Sequence, residues 1–304
     1  MSGKKVKRRS RSGKRLKQKS EENHMMQTDQ INIRDPFVLA YQGIYYLYGT
    51  RGETCWGPAD GFDVYTGRDL KSWEGPTVCF QNDGSFWADR NYWAPEVHPW
   101  KDGFYMFASF KSESRRRGTA ILRAASPLGP FEPWSDGPVT PADWECLDGT
   151  FYVSPEGTPY MVFCHEWVQA GDGEIYAVPL TEDLKSAAGK PFLLFRASEA
   201  AWSLRIRHST GITGYVTDGP FLWQKEDGTL LCLWSGFSEE GYAQGLAVSD
   251  NGRIDGHFTQ LDPLFMKDGG HGMLFRTTEG RLLLALHSPN THLQERPRFI
   301  PVQI

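Results

Sequence analysis

The chain of 304 residues is poor in sulfur and has no long apolar run. Its five cysteines, Cys55, Cys79, Cys146, Cys164 and Cys232, are odd in number and nowhere spaced as CxxC. That argues against a disulfide framework and a zinc site, and fits a reducing compartment. No stretch approaches the ~18 consecutive apolar residues of a spanning helix, and no apolar signal region follows the start. A cytoplasmic protein with no membrane partner is the expectation. Helical periodicity is also scarce, which points to an all-β chain.

The first 25 residues differ in kind from the rest. Ten Lys or Arg against two Glu give them a charge of +8, although the whole chain is at −4. Such a segment has no means of building a core. The His24-Met25-Met26 junction reads as the end of a cloning leader, with a native start at Met26. Residues 26–304 then form one domain, and binding to nucleic acid is not expected.

What remains is rich in aromatic and β-branched residues, with 11 Trp, 12 Tyr and 18 Phe, arranged in alternating or wholly apolar runs typical of strands. One unit recurs five times: an entry strand, a turn carrying Gly, and a strongly apolar second strand. Its copies are "DPFVLAYQGIYYLYGT", "APEVHPWKDGFYMFASF", "DGTFYVSPEGTPYMVFCHEW", "DGPFLWQKEDGTLLCLWSGF" and "HGMLFRTTEGRLLLALHSP". Their anchors, Asp35, Ala94, Asp148, Asp218 and His271, are separated by 59, 54, 70 and 53 residues. Spacing of this kind suits one four-stranded antiparallel sheet per unit. The predicted fold is all-β, a five-bladed β-propeller around a central channel.

In a propeller the first strand of every blade lines that channel, so the five anchors are expected to converge at one mouth. Gathering Asp35, Asp148 and Asp218 is costly, because like charges in a confined site raise one another's pKa and desolvation adds to the cost. Turn formation alone gives no reason to gather them. Inverting glycoside hydrolysis does: it needs a protonated acid at the leaving oxygen and an ionised base across the ring.

The stretches "IRDPFV", "YWAPEV", "LDGTFYV", "DGPFL" and "GGHGMLF" together resemble glycoside hydrolase family 43, from about Ile31 to the C-terminus. The resemblance implies an inverting enzyme acting on arabinose- or xylose-containing oligosaccharides. An exo-acting α-L-arabinofuranosidase is the first reading. A β-D-xylosidase and a catalytically weakened sugar-binding propeller are the alternatives. It implies Asp35 as general base, Asp148 as the carboxylate that tunes the acid, and Asp218 where the family usually places a Glu as general acid. Asp is shorter by one methylene, and a retreat of about 1.5 Å can cost ~100-fold in rate. Glu239 and Glu240 are the nearest substitutes in sequence.

His271, between glycines, is the position that in the family faces a central calcium. A structural calcium beside His271 and a histidine hydrogen-bonded within the channel to a neighbouring carboxylate are the two readings, with no cofactor required for the chemistry. Candidate sugar contacts are Phe37, Trp87, Trp93 and Phe221 among the aromatic residues, with Trp56 and Trp167 behind them. His165 and Arg276 are the polar candidates, with Glu166 and His287 as further possibilities. Glu96 reads as structural.

Overall fold

Residues 25–304 are described by a computed structural model. Apart from Met25, the leader expected over residues 1–25 lies outside the described residues; Met25 itself pairs with Glu74. The architecture is the five-bladed propeller, nearly all strand. The second, third and fourth blades are four-stranded meanders, whereas the first has five strands and the last has three. The extra strand, Met25–Gln27, joins the outer edge of the first blade, and Arg296–Pro301 forms the outer edge of the last.

The inner strands are Ile33–Tyr41, Arg90–Trp100, Cys146–Val153, Asp218–Gln224 and Gly270–Arg276. Behind each lies a strand that is buried almost throughout, such as Gly103–Lys111 and Leu230–Ser238. Buried on both faces between neighbouring blades, these strands read as continuous apolar runs. The long spacing between the third and fourth anchors has a local cause. A two-stranded ribbon, Arg205–Arg207 with Thr213–Tyr215, is inserted there. Among the described residues no helix is long and apolar enough to cross a membrane.

Every inner strand carries a β-bulge near its start. Pairing breaks between Arg34 and Phe37, Trp93 and Glu96, Leu147 and Thr150, Asp218 and Phe221, and Gly270 and Met273. The residue just after the first member of each pair is left-handed: Asp35 at φ 54°, Ala94 at 47°, Asp148 at 58°, Gly219 at 49° and His271 at 52°. A bulge leaves an extra residue unpaired and re-aims its side chain, so that Arg34 with Asp35 and Leu147 with Asp148 both face the mouth.

This corrects the shared register expected for the five anchors. In the fourth blade the left-handed residue is Gly219, and Asp218 stands one step earlier, level with Arg34, Trp93, Leu147 and Gly270.

Candidate active site

The bulges bring the three carboxylates to one cavity of about 470 Å³. Asp35 and Asp148 are buried at its floor, while Asp218 is only half-buried, nearer solvent. His271 sits among them, its Nδ1 3.2 Å from Asp35 Oδ1 and 3.7 Å from Asp148 Oδ2. Gly219 donates its backbone N–H to Asp148 Oδ2 at 3.0 Å. The Tyr242 hydroxyl donates to Asp218 Oδ2 at 3.0 Å.

Asp35 is fixed from three sides. The Thr50 hydroxyl donates to Oδ2 at 2.6 Å, and His271 faces Oδ1. The backbone N–H of Asp35 donates to His287 Nδ1 at 3.1 Å, which holds an unusual φ in place. His287 is fully buried, its Nδ1 bare to accept that bond and its Nε2–H turned to Asn290 Oδ1 at 3.2 Å. Burial and the Arg34 charge push its pKa down to about 3, keeping the ring neutral.

The environments then separate the acids. Burial would raise the Asp35 carboxyl, but His271, Arg34 and the Thr50 bond together hold it below the usual carboxylate range. Burial, with the Asp218 and Asp35 charges added, pushes Asp148 up to about 7 against the pull of His271. Asp218 is raised to about 6, again chiefly by burial, with His271 and Tyr242 opposing. For His271 burial works downward, yet the surrounding carboxylates outweigh it and raise the pKa, favouring imidazolium. Asp35 is thus poised to stay ionised beside an interacting pair raised towards neutrality, the separation that divides base from acid.

Trp93 lines the cavity as expected, and so do Trp56, Trp167 and Glu166. Trp56 and Trp93 meet edge to face at 5.6 Å, with Trp56 60% exposed and free to present its ring to a ligand. Other expectations are corrected. Phe37 is a core residue against His98, and Phe221 lies in the same apolar core. Trp87 packs between Phe86 and Phe110. His165 is held between Glu174 and Gln169 and stacks on Trp144. Arg276 is exposed beside Glu226 and Trp223, away from the cavity.

Alternation explains the placement of Phe37 and Phe221, whereas Trp87 lies before its inner strand begins. Residues two places beyond the bulge turn between blades instead of into the channel. Glu239 and Glu240 occupy an exposed turn and do not line the cavity. Glu96 is structural, as read, accepting from Thr150 at 2.6 Å and bonded to His98.

The described residues include no group of three or more His, Cys, Asp or Glu side chains placed to hold a metal ion. The Nδ1 of His271 faces the Asp35 and Asp148 carboxylates, and its ring lies against Gly219.

Sequence reasoning missed Arg34, Arg117 and Tyr242. Arg34 and Tyr242 line the cavity, and Arg34 pairs with the buried Glu295 at 2.7 Å. Arg117 bonds Glu166 and lies 4.1 Å over the Trp93 ring. Arg34 could have been found from its place directly before Asp35. Nothing local marks the other two.

The model of the family "Glycosyl hydrolases family 43" matches residues 30–300. This chain belongs to that family. An endo-arabinase structure from Bacteroides thetaiotaomicron is 40% identical, with a TM-score of 0.86 over 92% of this chain and 97% of that one. An extracellular exo-α-(1→5)-L-arabinofuranosidase of Cellvibrio japonicus is 22% identical, matching 81% of this chain and 72% of its own. A probable arabinan endo-1,5-α-L-arabinosidase of Emericella nidulans is 24% identical, over 64% of this chain and 53% of that protein. The expected cytoplasmic location is corrected by the Cellvibrio relative of this family 43 glycosidase, which is extracellular.

Proposed function

We propose that this family 43 hydrolase cleaves α-(1→5)-linked L-arabinofuranosyl bonds with inversion. The observation that carries the reading is the meeting of Asp35, Asp148 and Asp218 in one cavity around His271, with Asp35 held down and the other two raised. Asp35 takes a proton from water as that water attacks the anomeric carbon. Asp218, the acid nearest solvent, gives its proton to the departing glycosidic oxygen. Asp148 disfavours ionisation of its neighbour and so keeps that proton available. The sugar leaves with its anomeric configuration inverted and both carboxyl groups reset by solvent.

The half-buried position of Asp218, one step earlier in its strand than the other acids, supports its reach despite the short side chain. The bond type is supported by three relatives whose names specify arabinan or arabinofuranosyl substrates. The test is digestion of linear α-(1→5)-arabinan, followed by NMR of the first product and chromatography of its size. Early β-arabinose anomers support the proposal. Release of arabinose alone marks exo action, and oligomers mark cleavage inside the chain. Activity on xylo-oligosaccharides with none on arabinan would replace it with the xylosidase reading.

A further inference from the structure

A larger cavity, of about 690 Å³, opens beside the active site, and Arg117 lines both. Both volumes fall in the roughly 300–1,000 Å³ range of sites for small ligands. The two cavities share this buried side chain, which is paired with Glu166 and set 4.1 Å over the Trp93 ring of the active site.

The second cavity is cationic. Exposed Arg115, Arg116 and Lys185 stand around it against one lining acid, Asp136. Arg116 is 3.7 Å from Glu145, which Lys111 already engages at 3.0 Å. Arg115 and Lys185 are held over aromatic rings, Trp87 at 5.5 Å and Trp134 at 4.4 Å; among the described residues neither forms an ion pair, although the Lys185 charge also acts on Asp183. The surrounding body is acidic. With the ten Lys and Arg and two Glu of residues 1–24 set aside, the formal net charge of −4 becomes −12. Cations concentrated on such a body are not background. Trp144, half-buried at the cavity wall, adds a flat apolar surface.

We infer that this cleft is a second carbohydrate site, one that takes a carboxylated sugar. It would hold a hexuronate residue on the same glycan whose neutral arabinose portion enters the active site. The inference rests on the arabinan reading for the neutral portion. Arginine's planar fork matches a carboxylate, and a second cation nearby adds attraction that neutral sugars cannot elicit.

Calorimetric titration with trigalacturonic acid, with arabinotriose and with inorganic sulfate tests it on the full chain. The double variant Arg115→Ala/Lys185→Ala, both surface changes, is compared with the parent. Trigalacturonate is expected to bind the parent, and to bind the variant at least ~10-fold more weakly. Its affinity should also fall with added salt. Hydrolysis of neutral arabino-oligosaccharides and the melting temperature should be unchanged in the variant. Absence of trigalacturonate binding, equal binding by the variant, or sulfate binding as tight as trigalacturonate would overturn the site. Inactivity on arabinan with trigalacturonate binding intact would remove the arabinan reading alone.

Discussion

At the scale of single residues, the division of labour among the acids follows from what each one touches. Asp35 is surrounded by donors and positive charge, so removing its charge should cost kcat and leave binding largely intact. Asp35→Asn is expected to lower kcat by ~10²–10⁴-fold, the usual contribution of a positioned base, with little change in KM. Asp218→Asn should fall by a similar factor on arabinan but much less on 4-nitrophenyl arabinofuranoside, whose leaving group needs no proton. Equal losses on the two substrates would show that Asp218 is not the acid.

Protonation adds a pH signature. Activity should decline as pH rises past about 7, where the raised pair near 6 and 7 loses its proton. Stability should follow the same groups. Because the folded-state pKa of Asp148 is raised, its favourable contribution is complete below its unfolded value and is lost as pH rises through about 7. Asp148→Asn should therefore melt higher than the parent at pH 8, with the gain shrinking towards pH 4. Thermal scans at the two pH values read this directly.

At the scale of elements, the bulge of each inner strand is the unit that builds the site. Its left-handed residue costs an L-amino acid about 1–2 kcal/mol, and strain of that kind collects where function over-determines the backbone. The fourth blade uses Gly219 instead, and a Cβ there would come within 2.7 Å of the His271 ring. Gly219→Ala should displace His271 from Asp35 and Asp148, lowering both melting temperature and kcat. Ala94 holds the same conformation in the second blade and offers no catalytic group. Ala94→Gly should leave the melting temperature unchanged or raised, with activity retained. The opposite pattern in these two variants would show that the bulges do not set the site.

At the scale of the whole molecule, the first and last blades meet without sharing a strand. Contacts across that seam include Arg34 with Glu295, Asn32 with the Glu295 carbonyl, and the Asp35 N–H with His287. The Glu295 side chain is 0% exposed and that of Arg34 is 12% exposed. Removing the buried carboxylate leaves Arg34 with Asn290 and the Asp35 charge, so the cost should stay at or below the about 3–5 kcal/mol of a fully broken buried pair. Glu295→Ala should therefore unfold at markedly lower denaturant and lose activity through the loosened Asp35. Glu295→Gln, still able to accept a bond, should lose less. A single unfolding transition in both variants would show that the seam is part of one cooperative ring.

The repeat of entry strand, glycine turn and apolar strand was legible along the chain, because burial between blades demands apolar runs at a fixed period. From it came the blade count, the channel and the meeting of Asp35, Asp148 and Asp218. The offset of Asp218, and the inward turn of Arg34, were decided by the bulges. Those depend on pairing with a strand many residues away, and an aspartate and its following glycine look alike whichever of them is left-handed. Tertiary packing likewise turned Phe37, Trp87 and Phe221 into the core and brought Tyr242 to the acid. Residue type fixes what a side chain can do, but which face it reaches is settled by the register of its partner strand.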